Sequence, residues 1–260
     1  MRNEIISKLN KDYFHNLILD EMRVDGRKFK EIRDIKIETG VMGNAEGSAK
    51  ITLGDTQLIV GIKLQIGSPF PDSLDKGIIF TNMELNPIAS PEFESGPPRE
   101  NAIEMSRVVD RGIRESKAID LNKLCILEGE EVWIVFIDIH VLNNGGNLID
   151  AATLGAITAL MTAKLPLERE GRGTDTFMPI REIPISITFA RINGELIIDP
   201  TEKEESVCDM KLTIISNQDG SISAMQKSGG GSIKIDKILE AVEIAGEKSS
   251  EIREKYLKNI

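Results

Sequence analysis

The sequence predicts a mixed α/β fold, with α+β-like sheets, built from two halves of β-α-β-α type. Three observations predict it. Clusters of period-two apolar runs alternate with helical patterns along the chain. Turn pairs sit between those runs at Gly54-Asp55, Asn193-Gly194 and Asp219-Gly220. A segment rich in charge, Gly and Pro at 165–184 reads as a linker between a first half, 23–164, and a second, 185–260. Residues 1–22 precede both as an N-terminal helix.

At 260 residues the chain can bury roughly 70–75% of its unfolded surface, so the core needs no covalent staples. Apolar content is 40% but aromatics only 4%, which leaves the core to Ile, Leu, Val and Ala. The same scarcity argues against a single-strand binder that works by stacking bases. A formal net charge of −10 excludes a surface that coats phosphates all over. Any contact with nucleic acid needs a local basic patch or a partner. Cys125 and Cys208 form no CxxC pair and read as buried small hydrophobes in a reducing compartment. His15 and His140, the two histidines, have no ligand-spaced neighbour. The start, MRNEIISKLNKD, has no signal-type apolar run, and no segment approaches 18 apolar residues. A cytoplasmic protein without a membrane association is the expectation.

The elements follow in order. Ile5, Leu9, Phe14, Leu17 and Ile18 are spaced for an amphipathic helix. Asp25-Gly26 then turns the chain into a strand. Leu58, Val60, Ile62, Leu64 and Ile66 alternate, as a half-buried strand requires. "GIIFTNMELNP" is another strand, stopped by Pro87, and Pro97-Pro98 suit the start of a helix over about 99–117. Two strands flank Gly129. The second, apolar on both faces through Phe136, reads as central in its sheet. Small residues over 147–164 let a helix press against that sheet. The last helix runs about 25 residues from Ser232, with Ile235, Leu239, Val242, Ala245, Ser249, Ile252 and Tyr256 facing inward.

Two features point to chemistry. On the helix at 99–117, Arg107, Arg111 and Arg114 fall within an arc of roughly 60°, opposite Ala102, Met105, Val109 and Ile113. Such a row is either a solvated face paired to Glu104, Asp110 and Glu115, or a grip on a phosphodiester backbone, to which the guanidinium fork is matched. Next, "NNGGNLIDAATLGAITAL" places Gly145-Gly146 before a small-residue helix, the shape of an anion cradle. Yet Asn147 and Leu148 follow, where Lys, Arg, Ser or Thr would hold an anion. "QKSGGGS" at 226–232 offers Lys227 and Ser228, but it lacks nucleotide-loop spacing. It reads as a turn with Ser232 as helix cap.

"RVDGRKFKEIR" at 23–33, "GSAKITLGDTQLIVGIK" at 47–63, "PPRENAIEMSRVVDRGIRESKAIDLNKLCI" at 97–126 and "LNNGGNLIDAATLGAITALM" at 142–161 together resemble the ribonuclease PH superfamily. "ESVCDMKLTI" and "MQKSGGG" extend the resemblance into the second half. Within it, the chain looks most like the non-catalytic ring subunits of archaeal exosomes. The resemblance implies the ribonuclease PH fold and a heterodimer with a catalytic ribonuclease-PH-like subunit. Three such dimers would form a hexameric ring carrying RNA-binding cap subunits and degrading single-stranded RNA 3′→5′ by phosphorolysis.

It also implies roles for positions. Active members carry a hydroxyl residue and an Arg after the paired glycines; here those positions are Asn147 and Leu148, so the phosphate site at Gly145–Leu148 is degenerate. Active members also place two acids six residues apart before the last helix. Asp209 matches the second, and Lys203 stands at the first, so no metal site is expected and Asp209 can be structural. The positions matching Arg107 and Arg111, and less firmly Arg114, are expected to touch the RNA backbone. Phosphate, and Mg2+ if it is used, would bind at the partner, with no cofactor and no catalytic residue here. The alternative is that the chain is itself an active phosphorolytic exoribonuclease.

Overall fold

The computed structural model describes residues 2–258 and 260, with side chains from Lys11 onward apart from residue 259. The chain starts with α1 (Arg2–Leu19), then β1 (Ile35–Thr39), β2 (Gly47–Leu53), β3 (Thr56–Gly67), β4 (Ile78–Leu85) and α2 (Glu100–Glu115). Next come β5 (Cys125–Leu127), β6 (Glu131–Asn143), α3 (Leu148–Thr162), and the short pair β7 (Lys164–Leu165) and β8 (Thr176–Phe177). Strands β9 (Ile185–Ile192) and β10 (Glu195–Ile198), helix α4 (Glu202–Val207), strands β11 (Met210–Ser216) and β12 (Ile222–Ser228), and helix α5 (Ile235–Ile252) complete it.

Two larger sheets result. The first has the order β1-β2-β3-β6-β4, with β5 also paired to β6. It is mixed, because β4 runs parallel to β6 while the other pairs are antiparallel. The second is antiparallel, β10-β9-β11-β12. Helix α3 lies between them, packed on β2 and β3 on one side and β9 on the other. Its small residues permit this: a Cβ on Gly155 would sit 2.7 Å from Val60 and 3.1 Å from Ile51. The period-two reading holds in β3, where Leu58, Val60, Ile62 and Leu64 are fully buried. Asn193 and Gly194 both have positive φ (50° and 87°), the geometry of a tight hairpin between β9 and β10.

Four expectations need correction. Strand β6 lies between β3 and β4, but it is not buried on both faces. Val135, Ile137, Ile139 and Val141 are buried, whereas Ile134 and Phe136 are half-covered, with Phe136 stacked on the exposed Phe80 at 5.5 Å. No second layer covers that face among the described residues. The last helix begins at Ile235, not Ser232, and its N-cap Lys234 makes no side-chain cap bond. Its inward stripe starts late: Ile235 and Leu239 are exposed, and Ala241, Ala245, Ser249 and Ile252 carry the packing on β9 and β11. Helical periodicity marks a face but not where the supporting sheet ends. Cys125 and Cys208 are free and half-buried rather than sealed in the core.

In α1, Phe14 and Ile18 are buried beside Ala190, Ile192, Ile197 and Val207; the side chains of Ile5 and Leu9 lie outside the described residues. No described helix is long and apolar enough to cross a membrane.

Candidate functional site

Helix α2 joins the two halves. It packs on β4 and α3 of the first and on β12 of the second. Its inner face buries Ala102, Ser106, Val108, Val109, Gly112 and Ile113. Met105, expected on that face, is only half-buried. Gly112 is where α2 meets β11, since a Cβ there would come 2.6 Å from the Ile215 side chain.

The outer face carries the arginines, in two different states. Arg107 is exposed and makes no side-chain hydrogen bond or ion pair among the described residues. Arg111, one turn on, only donates weakly to Gln226 Oε1 at 3.3 Å. Arg114 is committed: Nε and a terminal nitrogen bond both Asp110 oxygens at 3.1 and 3.0 Å, and the same nitrogen reaches the Ile79 carbonyl at 3.0 Å. Arg107 and Arg111 therefore stand available for an anion, while Arg114 is held by its own helix and by β4.

The glycine cradle follows β6, and its glycines answer to packing. A Cβ on Gly146 (φ +88°) would fall 2.3 Å from the Glu202 nitrogen. One on Gly145 would fall 2.9 Å from the Thr56 nitrogen. Their carbonyls are acceptors for other segments: Gly145 takes Arg33 at 2.7 Å, and Gly146 takes the Thr56 hydroxyl at 2.6 Å. Two of the backbone donors of the cradle are also used. Gly146 N–H donates to Asn144 Oδ1 at 3.2 Å, and Asn147 N–H donates to Glu205 Oε1 at 3.1 Å. Leu148 is buried. The adjoining cavity, about 340 Å³, is walled by Glu104 and Glu205 against one cation, Lys211, which pairs with Glu205 at 3.3 Å. An internal carboxylate thus bonds the backbone at the start of α3 and walls the cavity beside it.

Asn147 itself turns inward. It has the left-handed conformation (φ 56°) that Asn tolerates better than other non-glycine residues. Its amide donates to Asp150 at 2.8 Å and Asp199 at 2.7 Å. Asp199 also accepts from Arg27 at 2.9 Å, and from Arg33 at 2.9 and 2.7 Å. Burial pushes the Asp199 carboxyl up, and the Arg33 guanidinium overrides it, holding the group below the usual carboxylate range. Asp150 goes the other way. Burial lifts it to about 7, against hydrogen bonds from Asn147 and Thr188. Nearby, Arg23 and Glu204 form a buried two-point ion pair at 2.8 and 2.7 Å. None of Arg23, Arg33, Asp150, Asp199, Glu204 and Glu205 was singled out from sequence. Their contacts join positions as far apart as 181 residues, and no local spacing announces them.

At the acid positions, Lys203 is exposed on α4. Asp209 pairs with Lys11 of α1 at 3.1 Å and with Arg191 at 3.7 Å. One carboxylate between two cations does not make a donor set for a hard divalent ion. In the 226–232 loop, Lys227 donates to the Gly229 carbonyl at 2.8 Å, and Gly229 (φ +84°) packs against the Asp209 backbone. The loop is a turn, as expected, but Ser232 does not cap α5.

Comparison with known proteins agrees with this architecture. Residues 31–166 match the 3′ exoribonuclease family, domain 1, and residues 182–248 match domain 2 of that family. The chain is 58% identical over 258 residues to exosome complex component Rrp42 of Methanosarcina acetivorans, covering 99% of this chain and 97% of the relative. It is 48% identical over 256 residues to the same component of Archaeoglobus fulgidus, covering 98% and 99%. Among solved structures, a chain of the Archaeoglobus fulgidus exosome with RNA bound to the active site superposes with a TM-score of 0.94 at 48% identity, over 97% of this chain and 99% of that one. Rice Rrp46 shares the fold, with a TM-score of 0.68 at 17% identity over 91% of this chain and 100% of that one. With both halves matched in order, the chain belongs to the 3′ exoribonuclease, or RNase PH, family.

Proposed function

We propose that this chain is a non-catalytic ring subunit of an archaeal RNA exosome. It pairs with a catalytic ribonuclease-PH-like subunit in a trimer of heterodimers, beneath RNA-binding caps, in the cytoplasm. In the reaction, an oxygen of inorganic phosphate attacks the terminal phosphodiester phosphorus. The bond to the preceding 3′ oxygen breaks, that oxygen gains a proton, and a nucleoside diphosphate leaves.

One observation carries the reading. A backbone donor of the cradle, the Asn147 N–H, is bonded to Glu205, while two arginines without a carboxylate partner among the described residues stand on the neighbouring helix. A site with that wall repels orthophosphate. A helix with that face can hold a phosphodiester strand without reading its bases. Arg107 and Arg111 are one turn apart, about 6 Å along the axis, close to the step between neighbouring phosphates of an extended strand. Arg114, held by Asp110 and the Ile79 carbonyl, contributes less. The chain's part in catalysis is to position RNA at its partner's active site, which can lower a barrier by several kcal/mol, on the order of 7 or more at best.

The test is reconstitution. The chain alone, given RNA and phosphate, releases no nucleoside diphosphate; mixed with the catalytic subunit it does. The double change of Arg107 and Arg111 to Glu weakens RNA binding by the assembled complex. Robust release by the isolated chain would establish the alternative, an active exoribonuclease in its own right. Unchanged RNA affinity in the double variant would remove the arginines from the account.

A further inference from the structure

Beyond the C-terminal end of α2 lies a second cationic feature. A cavity of about 320 Å³ is walled by Lys76, Arg114, Lys117 and Arg181, with Asn122 and a single carboxylate, Asp120. The carboxylate is already engaged. Asp120 accepts from Arg181 at 2.6 Å, and Lys123 approaches it at 4.0 Å. Arg114 is neutralised by Asp110. Lys76 and Lys117 are exposed and have no carboxylate partner among the described residues. In a chain of net charge −10, two unmatched lysines on one pocket wall are a concentrated positive field.

The backbone at Lys117 makes its side chain open to a clean test. Helix α2 ends in a Schellman motif: the Ala118 N–H bonds the Ile113 carbonyl at 3.1 Å, and the Lys117 N–H bonds the Arg114 carbonyl at 3.1 Å. The residue between Ser116 and Ala118 must then be left-handed, and its φ is +56°. Glycine is the default there, because any Cβ is disfavoured in that conformation. The chain places a lysine at that point. The helix end therefore does not depend on the lysine side chain, and glycine can replace it there without cost to the turn.

We propose that this pocket binds a phosphate group of the RNA backbone, extending the arginine row of α2 past Arg114 to Lys117 and Lys76. The proposal rests on the reading of α2 as an RNA-contacting helix. The ligand class is a phosphodiester, held by point charges without base readout. Arg181 and Asn122 supply further donors on the same wall.

The test uses Lys117→Gly, which separates structure from binding. Glycine relieves the left-handed backbone, so the variant melts at or above the temperature of the parent. RNA affinity is measured on the assembled complex with two single strands: one long enough to span only Arg107 and Arg111, and one that continues past Arg114. The expected result is about two- to fivefold weaker binding of the long strand and a salt dependence shallower by about 0.7 in log–log slope, with the short strand unaffected. Lys76→Ala gives the same pattern. Unchanged binding of the long strand in both variants, with binding lost in the Arg107/Arg111 variant, overturns the pocket and leaves the arginine row standing. Retained affinity in the Arg107/Arg111 variant removes the reading beneath it. Stabilisation by inorganic phosphate that depends on Lys117, with RNA affinity unaltered, reassigns the pocket to the free ion and also overturns the proposal.

Discussion

Changing Asp150 to Asn should make the chain's stability less sensitive to pH between about 4 and 7. Asp150 accepts from Asn147 Nδ2 and the Thr188 N–H on one oxygen, and from the Thr188 hydroxyl on the other. Asn keeps the shape. Its oxygen takes the first two donors, and its amide donates to the Thr188 hydroxyl, which then donates to Thr213, 2.9 Å away. The folded state raises the Asp150 carboxyl from 3.8 to about 7, so the native chain holds a proton there that the unfolded chain has already released. The contribution is therefore fully present below about 3.8 and is lost as pH rises through about 7. The full shift corresponds to about 4 kcal/mol. The residue is only half-buried by surface area, and solvent screening halves this to about 2 kcal/mol. For a chain of this size that is a melting shift of about 5 °C. Asp199, lowered in the fold, has the opposite sign and acts only in stronger acid, so the two windows separate. The assay is thermal unfolding of parent and variant across this range. Parallel profiles would refute the assignment of the pH-sensitive proton to Asp150.

Two further outcomes follow from the cradle. Gly146→Ala should destabilise by about 3 kcal/mol or more, because its Cβ would collide with the α4 backbone from a left-handed φ, and denaturant unfolding measures this. Leu148→Arg should not restore phosphate binding, because the new guanidinium faces Glu104 and Glu205 and pairs with them first; calorimetric titration with phosphate that shows binding would contradict this.

What was legible in the sequence was local. The alternation in β3, the hairpin at Asn193-Gly194 and the arginine arc on α2 each rest on residues within a few positions of one another, so spacing alone exposes them. What stayed hidden depends on distance. Arg33 reaches Asp199 across 166 residues, and no periodicity reports it. The uncovered face of β6 escaped for a related reason. Ile134 and Phe136 are as apolar as the residues on the buried face, and composition does not say whether a second layer exists. At the end of α2 the arginines looked equivalent by angle. Only the position of Asp110 and the Ile79 carbonyl separates Arg114 from its neighbours.

The paired glycines show how one signal can have two physical causes. Gly145 and Gly146 look like an anion cradle because anion cradles need close backbone approach, and so does the junction they form here. Arg33, Thr56 and Glu202 come from three separate segments and meet on those two carbonyls. Any side chain there would push the segments apart, whether or not an anion binds nearby. The glycines are therefore needed by the fold, and their presence does not distinguish an active site from a closed one. The discriminating features are the residues just after them and the charge opposite. With Leu148 buried and Glu205 bonded to the Asn147 N–H, the pocket already contains its anion. A scaffold built around that junction keeps its paired glycines whatever side chains line the cavity, so the glycines by themselves are no argument for phosphate binding.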